Sequence, residues 1–145
     1  MFNKQDYKQF WKVRKQLERL SKNTSSICKK DLQGGCMIGA FLIHCYLKEK
    51  GYKSQMVVCA GHCYTKVGDW IVDVTATQFG ISKKVWITNH TNYKEELEKN
   101  TVSWLFDDEI KLRQVKQLPK ILNKLCWETD PIKILSLPKT MYYDT

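Results

Sequence analysis

The stretch GHCYTKVGDWIVDVTATQF, Gly61 to Phe79, decides how this chain folds. It sets two runs of strand-forming residues, His62 to Val67 and Trp70 to Thr75, on either side of Gly68-Asp69, a dipeptide suited to a two-residue hairpin turn. With that turn, Tyr64 lies opposite Asp73 and His62 opposite Thr75. His62 and Asp73 then become diagonal neighbours on one face, roughly 7 to 8 Å apart between backbones, a gap that a histidine and a carboxylate can bridge. A change of one residue in the loop would send them to opposite faces. A histidine oriented by a carboxylate is the arrangement of a general base, so the next residue to find is a nucleophile.

Upstream, Gln55 to Ala60 reads as a further strand, preceded by an apolar helix from Met37 to Lys50 that Gly51 ends in a left-handed cap. Cys36 stands at the head of that helix after Gly34 and Gly35. Free backbone N–H groups and the positive end of the helix dipole favour a thiolate there. Gly39, Ala40 and Ile43 continue its stripe, and the two small residues would let the helix lie close to the strands carrying His62 and Asp73. Asn3 caps a first helix over residues 3–20, with Tyr7, Phe10, Trp11, Leu17 and Leu20 at helical spacing and cations opposite. Residues 21–30 read as a loop.

Downstream, Val85 to Thr88 reads as a strand, His90 falls in a polar loop, and Thr91 or Asn92 starts a helix running through Glu95 to Lys99. Residues 101–145 read as mainly helical, with Leu105, Ile110, Leu112 and Val115 inward and a stop at Pro119. The whole is an α+β pattern in one domain of 145 residues: a nucleophile-bearing helix packed on an antiparallel sheet, with a core over about 33–90.

The other cysteines and histidines sort by geometry. Cys45 lies nine residues beyond Cys36, about half a revolution round the helix, and reads as core. His44 is two turns along, on the order of 12 Å from Cys36, too far to act as its base. Cys59, His62 and Cys63 suggest a zinc cluster, but on a strand His62 points away from the two cysteines. Cys28 and Cys126 have no recognisable context. No metal and no cofactor are expected.

Composition narrows the class. Aromatic residues at 12% and charged residues at 27%, with three prolines and seven glycines, describe a globular chain. The longest apolar run, Cys36 to Leu47, is too short to span a bilayer. The first twenty residues lack an apolar core followed by small residues, so no secretory signal and a cytoplasmic location are expected, with the six cysteines reduced. The net charge of +9 is carried mostly by scattered lysines, which suits an acidic partner protein and supports a nucleic-acid partner only weakly.

The order Gly-Gly-Cys at the head of an apolar helix, then GHCYTKVGDWIVDVTATQF on successive strands, resembles the papain-like and transglutaminase-like cysteine enzyme superfamily, especially its bacterial and phage branches. The likeness covers about Gln33 to Phe79, a third of the chain, and IVDVTATQF is its most specific part. Arylamine N-acetyltransferases share the same order but are considerably longer. The resemblance implies a triad of Cys36, His62 and Asp73 that attacks an amide carbonyl through a thioester. It implies an oxyanion donor in the Cys36 N–H, with the Gln33 amide as a second, and Thr75 and Gln78 as supporting groups around the triad. The activity could be peptide or isopeptide cleavage, glutamine deamidation or amide transfer. Met37, in place of the tryptophan that follows the cysteine in eukaryotic transglutaminases, removes an indole from the oxyanion site. A single domain of this size resembles phage-borne or toxin-like effectors that modify a host protein. The competing functional reading is a catalytically idle fold used as a basic module that binds an acidic protein or nucleic acid; a third is a zinc-stabilised domain built on Cys59, His62 and Cys63.

Overall fold

The hairpin forms in the predicted register, with Val67 opposite Trp70, Lys66 opposite Ile71 and Thr65 opposite Val72. Gly68 has φ +59° while Asp69 keeps a negative φ, the combination of a type II′ turn with glycine in its first central position. The computed structural model describes residues 1–23, 32, 35–59, 62–100 and 110–111. In order these form α1 (Lys4–Asn23), α2 (Cys36–Glu49), β1 (Ser54–Cys59), β2 (His62–Val67), β3 (Trp70–Asp73), a 3-10 turn (Ala76–Phe79), β4 (Trp86–Asn89), α3 (His90–Lys99) and a two-residue strand β5 (Ile110–Lys111). The strands make one sheet in the order β4-β3-β2-β1-β5, antiparallel throughout. The class is α+β.

Strand alternation divides the core between the two faces of this sheet. Met56, Cys63, Val67 and Val72 meet Phe10, Val13 and Leu17 of α1 and Ile38, Phe41 and Leu47 of α2. Val57, Tyr64, Ile71 and Trp86 meet Tyr93 and Leu97 of α3 on the other face. Helix α2 is seated on β2 by the Thr65 hydroxyl, which donates to the Ala40 carbonyl at 2.8 Å. It is held close by Gly39, where an added Cβ would come within 2.9 Å of Leu17 and 3.0 Å of Val74.

The caps explain where the helices begin and end. Asn3 and Asp6 form a reciprocal pair at the start of α1, each backbone N–H donating to the other's side chain at 2.9 Å. Helix α2 closes with Gly51 N–H on Lys48 O and Tyr52 N–H on Leu47 O, a Schellman motif with Gly51 at φ +90°, as the sequence predicts.

Several expectations are corrected. Tyr7 and Trp11 are 45% and 42% exposed, because the buried arc of α1 runs through Asp6, Phe10, Val13, Arg14 and Leu17. Strand β3 ends at Asp73 and not Thr75, since the Asp73 carboxylate takes the Thr75 N–H and turns the chain. Helix α3 starts at His90, capped by Asn89, whose side chain accepts from Asn92 N–H, so His90 is helical and not in a loop. Ile110 lies in β5 beside Val58 and not in a helix. The expectations for 24–31, 101–109 and 112–145, including Leu105, Leu112, Val115 and Pro119, lie outside the described residues.

Candidate functional site

His62 opens β2 and Asp73 closes β3, so antiparallel pairing brings the two residues to the same end of the sheet. Both are buried, at 3% and 2% exposure, and His62 Nε2 lies 2.9 Å from Asp73 Oδ2. The predicted pair is in place. Alternation sets it on the α3 face, with Tyr64, and away from the face that α2 covers.

Tyr93, the first inward residue of α3, joins the pair. Its hydroxyl donates to Asp73 Oδ2 at 2.6 Å, and its oxygen is 2.9 Å from His62 Nε2. The ring is fixed between Tyr64 and Trp86, at centroid distances of 4.8 and 4.9 Å. The other carboxylate oxygen of Asp73 accepts from Thr75 N–H at 2.8 Å and from the Thr75 hydroxyl at 3.2 Å, and Gln78 Nε2 donates to that hydroxyl at 3.3 Å. Thr75 and Gln78 therefore stand behind Asp73 in one chain of hydrogen bonds. The segment is anchored to α1 by buried Arg14, which donates to Val74 O at 3.0 Å and to Thr77 Oγ1 at 2.9 Å.

Sequence reasoning missed Tyr93 and Arg14. The signal for Tyr93 is that Tyr93 and Leu97, four residues apart, are the only apolar side chains of α3, which makes them its inward face. Arg14 carries no comparable signal, because a cation on an amphipathic helix reads as solvent-facing.

The charges follow from the packing. Burial alone would lower the His62 pKa, but the charge and hydrogen bond of Asp73, followed by the nearby Cys36 thiol, outweigh it and raise the group to about 9. Burial alone would raise Asp73, but His62, the Tyr93 hydroxyl and Thr75 N–H outweigh it and hold the carboxyl below its ordinary value. The opposite shifts both favour the charged pair, an imidazolium beside a carboxylate.

Cys36 begins α2, half-buried, and is a free thiol. Gly35 precedes it in the cap position without a side-chain cap, so the first N–H groups of the helix are not taken up by a capping side chain. Asp73 and Tyr93 both occupy Nε2, so the nitrogen left open is Nδ1. That atom is buried and has no hydrogen-bond partner within reach among the described residues. Cys36 is near enough to the ring to raise its pKa, though no hydrogen bond to Nδ1 is formed.

The remaining site expectations fall as follows. Gln33 lies outside the described residues, as do Cys28 and Cys126. Cys45 is fully buried, and burial pushes its thiol up to about 12, so it is core. His44 is buried against Ser54, its Nδ1 2.8 Å from the hydroxyl. Cys63 packs into the core on the α2 face while His62 turns to Asp73, so the two do not converge on one ion. Among the described residues no three His, Cys, Asp or Glu side chains form a metal cluster, and no helix is long and apolar enough to cross a membrane.

No protein family matches this chain, nor does any curated protein or any solved structure.

Proposed function

We propose that this chain is a small cysteine hydrolase or acyltransferase that acts on an amide of a protein substrate, built on a papain-like or transglutaminase-like core. The observation that carries the reading is the division of labour on one imidazole. Its Nε2 is held by Asp73 and Tyr93, while Nδ1 is left buried and unpartnered beside a cysteine at an uncapped helix start.

In this mechanism Cys36 Sγ attacks the carbonyl carbon and a sulfur–carbon bond forms. The carbonyl oxygen takes up the negative charge, met by the N–H groups at the head of α2. His62 Nδ1 passes its proton to the leaving nitrogen, the carbon–nitrogen bond breaks, and a thioester on Cys36 remains. Water or an amine then adds to the thioester, giving its proton to Nδ1, and Cys36 leaves as the thiolate. Asp73 keeps Nε2 protonated and supports the ring's charge; Thr75 and Gln78 hold Asp73. Water gives hydrolysis or glutamine deamidation, and a lysine amine gives transfer. A cytoplasmic effector of the phage or toxin type, modifying an acidic host protein, fits the basic charge.

The test is to trap the acyl-enzyme. The protein is incubated with an activated aryl ester, quenched in acid and mapped by peptide mass. The expected result is one acyl group on Cys36, absent from Cys36→Ala and slow to form in His62→Ala. Acylation spread evenly over the cysteines, or unchanged in His62→Ala, would contradict the proposal.

A further inference from the structure

Helix α1 carries a second surface, far from any need of the triad. Its twenty residues hold seven cationic side chains and two carboxylates, so this one helix supplies more than half of the chain's net charge of +9. One carboxylate is withdrawn from the outer face, and the other lies within it but is engaged by cations on both sides. Asp6 is buried and bonded to Asn3, Tyr46 and Tyr52. Glu18 is half-buried between Arg14 and Lys84, each 3.8 Å away.

The rest of that face is cationic and aromatic. Lys4, Lys8, Lys12, Lys15, Arg19 and Lys22 are all exposed. Tyr7 and Trp11, four residues apart and therefore side by side, are exposed among them at 45% and 42%. At about 100° per residue these eight side chains fall within an arc of roughly 140°, along a helix about 30 Å long. Tyr7 rests edge-on against buried Phe10 yet stays 45% exposed, and Trp11 stays 42% exposed, so two partly open aromatic rings sit inside a cationic stripe and suit a partner that uses both features.

We infer that the outer face of α1 binds single-stranded nucleic acid, with phosphates on the lysines and bases stacked on Trp11 and Tyr7. An acidic protein would satisfy the cations but gives the rings no role. A duplex would do the same, because its base faces are already stacked on one another; a single strand offers backbone charge and open base faces together. Recognition is independent of sequence, since the lysines meet only backbone charge and every base presents a face for stacking. The surface stands apart from the thiol, so Cys36→Ala leaves it intact whether or not the proposed chemistry holds.

The experiment is fluorescence anisotropy of the full chain with a labelled oligouridylate of about 15 nucleotides, in a salt series. A duplex of equal length and polyglutamate serve as competitors. Wild type is expected to bind the single strand, with affinity falling steeply as salt rises. Tyr7→Ala/Trp11→Ala is expected to bind about tenfold more weakly with the salt slope unchanged. Lys8→Glu/Lys12→Glu/Lys15→Glu is expected to lose binding and flatten the slope. Unaltered thermal melting shows that the variants, all at exposed positions, remain folded. Absence of binding at low salt, wild-type affinity in the aromatic variant, or polyglutamate or duplex competing as well as the single strand would each overturn the inference; competition by polyglutamate alone would instead mark an acidic-protein surface.

Discussion

Two buried carboxylates in this molecule are each gripped by tyrosine, and they end in different chemistry. Asp6 receives the Asn3 N–H at 2.9 Å, the Tyr46 hydroxyl at 2.7 Å and the Tyr52 hydroxyl at 2.6 Å, pinning the start of α1 to the end of α2. Asp73 receives Tyr93 at 2.6 Å and Thr75 through its N–H and hydroxyl, but its fourth partner is an imidazole. Around Asp6 every donor belongs to a neutral group and each bond ends there. Around Asp73 the bond continues into a ring whose second nitrogen is buried and unoccupied and whose charge the Cys36 thiol influences. A satisfied carboxylate is a clamp; placed behind a histidine with one nitrogen unoccupied, the same clamp fixes a base.

The contrast can be broken by exchanging the two acids for their amides. In Asp73→Asn the imidazolium loses its counter-charge and the ring its fixed tautomer, so acylation of Cys36 should fall by about 10⁴-fold in a stopped aryl-ester assay. The same change at Asp6 should leave the acylation rate as it was. Truncation of Asp6 acts on stability instead. Asp6→Ala removes a reciprocal cap and strands two tyrosine hydroxyls, and should cost about 3 kcal/mol in urea unfolding with Cys36 reactivity per folded molecule unchanged. A loss of reactivity with no loss of stability at Asp6 would dissolve the distinction.

The pH dependence of stability separates the clusters without mutation. The His62 pKa is raised from 6.5 to about 9, so its contribution is fully present below pH 6.5 and is lost as pH rises through 9, by up to about 1.4 kcal/mol per pH unit. Asp6 and Asp73 are both held below 3.8, so theirs is present above that value and lost as pH falls below it. Tyr46, raised to about 12 by burial and by Asp6, brings the Asp6 cluster its own alkaline limb only above pH 10. Between pH 6.5 and 9 the decline should therefore belong to His62 and be absent from His62→Gln, as read by urea titration at each pH. The smallest expected effect is at Gly39, where Gly39→Ala forces α2 away from Leu17 and Val74 and should cost about 2 kcal/mol. Because α2 also carries Cys36, this variant should lose acylation as well as stability, unlike Asp6→Ala.

What could be read from the residues alone depended on whether a local rule governed them. The Gly68-Asp69 turn sets the β2–β3 register by itself, and with it the meeting of His62 and Asp73. Gly51 ends α2 through its own φ, again a local matter. Tyr93 escaped because its role depends on where α3 lands, seventeen residues beyond the turned end of β3. Asp6 and Arg14 escaped because burial of a charge is decided by partners from α2, Val74 and Thr77, which no pattern within α1 announces. Tyr7 and Trp11 were misplaced for the converse reason. Their helical spacing resembles a core stripe, but the buried arc is completed by Asp6 and Arg14 instead, which turns both rings outward. Ile110 sits in a helical pattern, yet a distant edge, β1, recruits it into the sheet.

The account rests on the link between His62 and Cys36, and labelling with iodoacetamide at limiting reagent, across pH and read at each cysteine by mass spectrometry, addresses that link directly. In wild type, Cys36 should be alkylated well ahead of Cys45 and Cys63, at a pH below that at which free thiols react, and the preference should vanish in His62→Ala. Alkylation of Cys36 no faster than that of the other cysteines, or undisturbed by the loss of His62, would contradict the pairing and with it the enzyme.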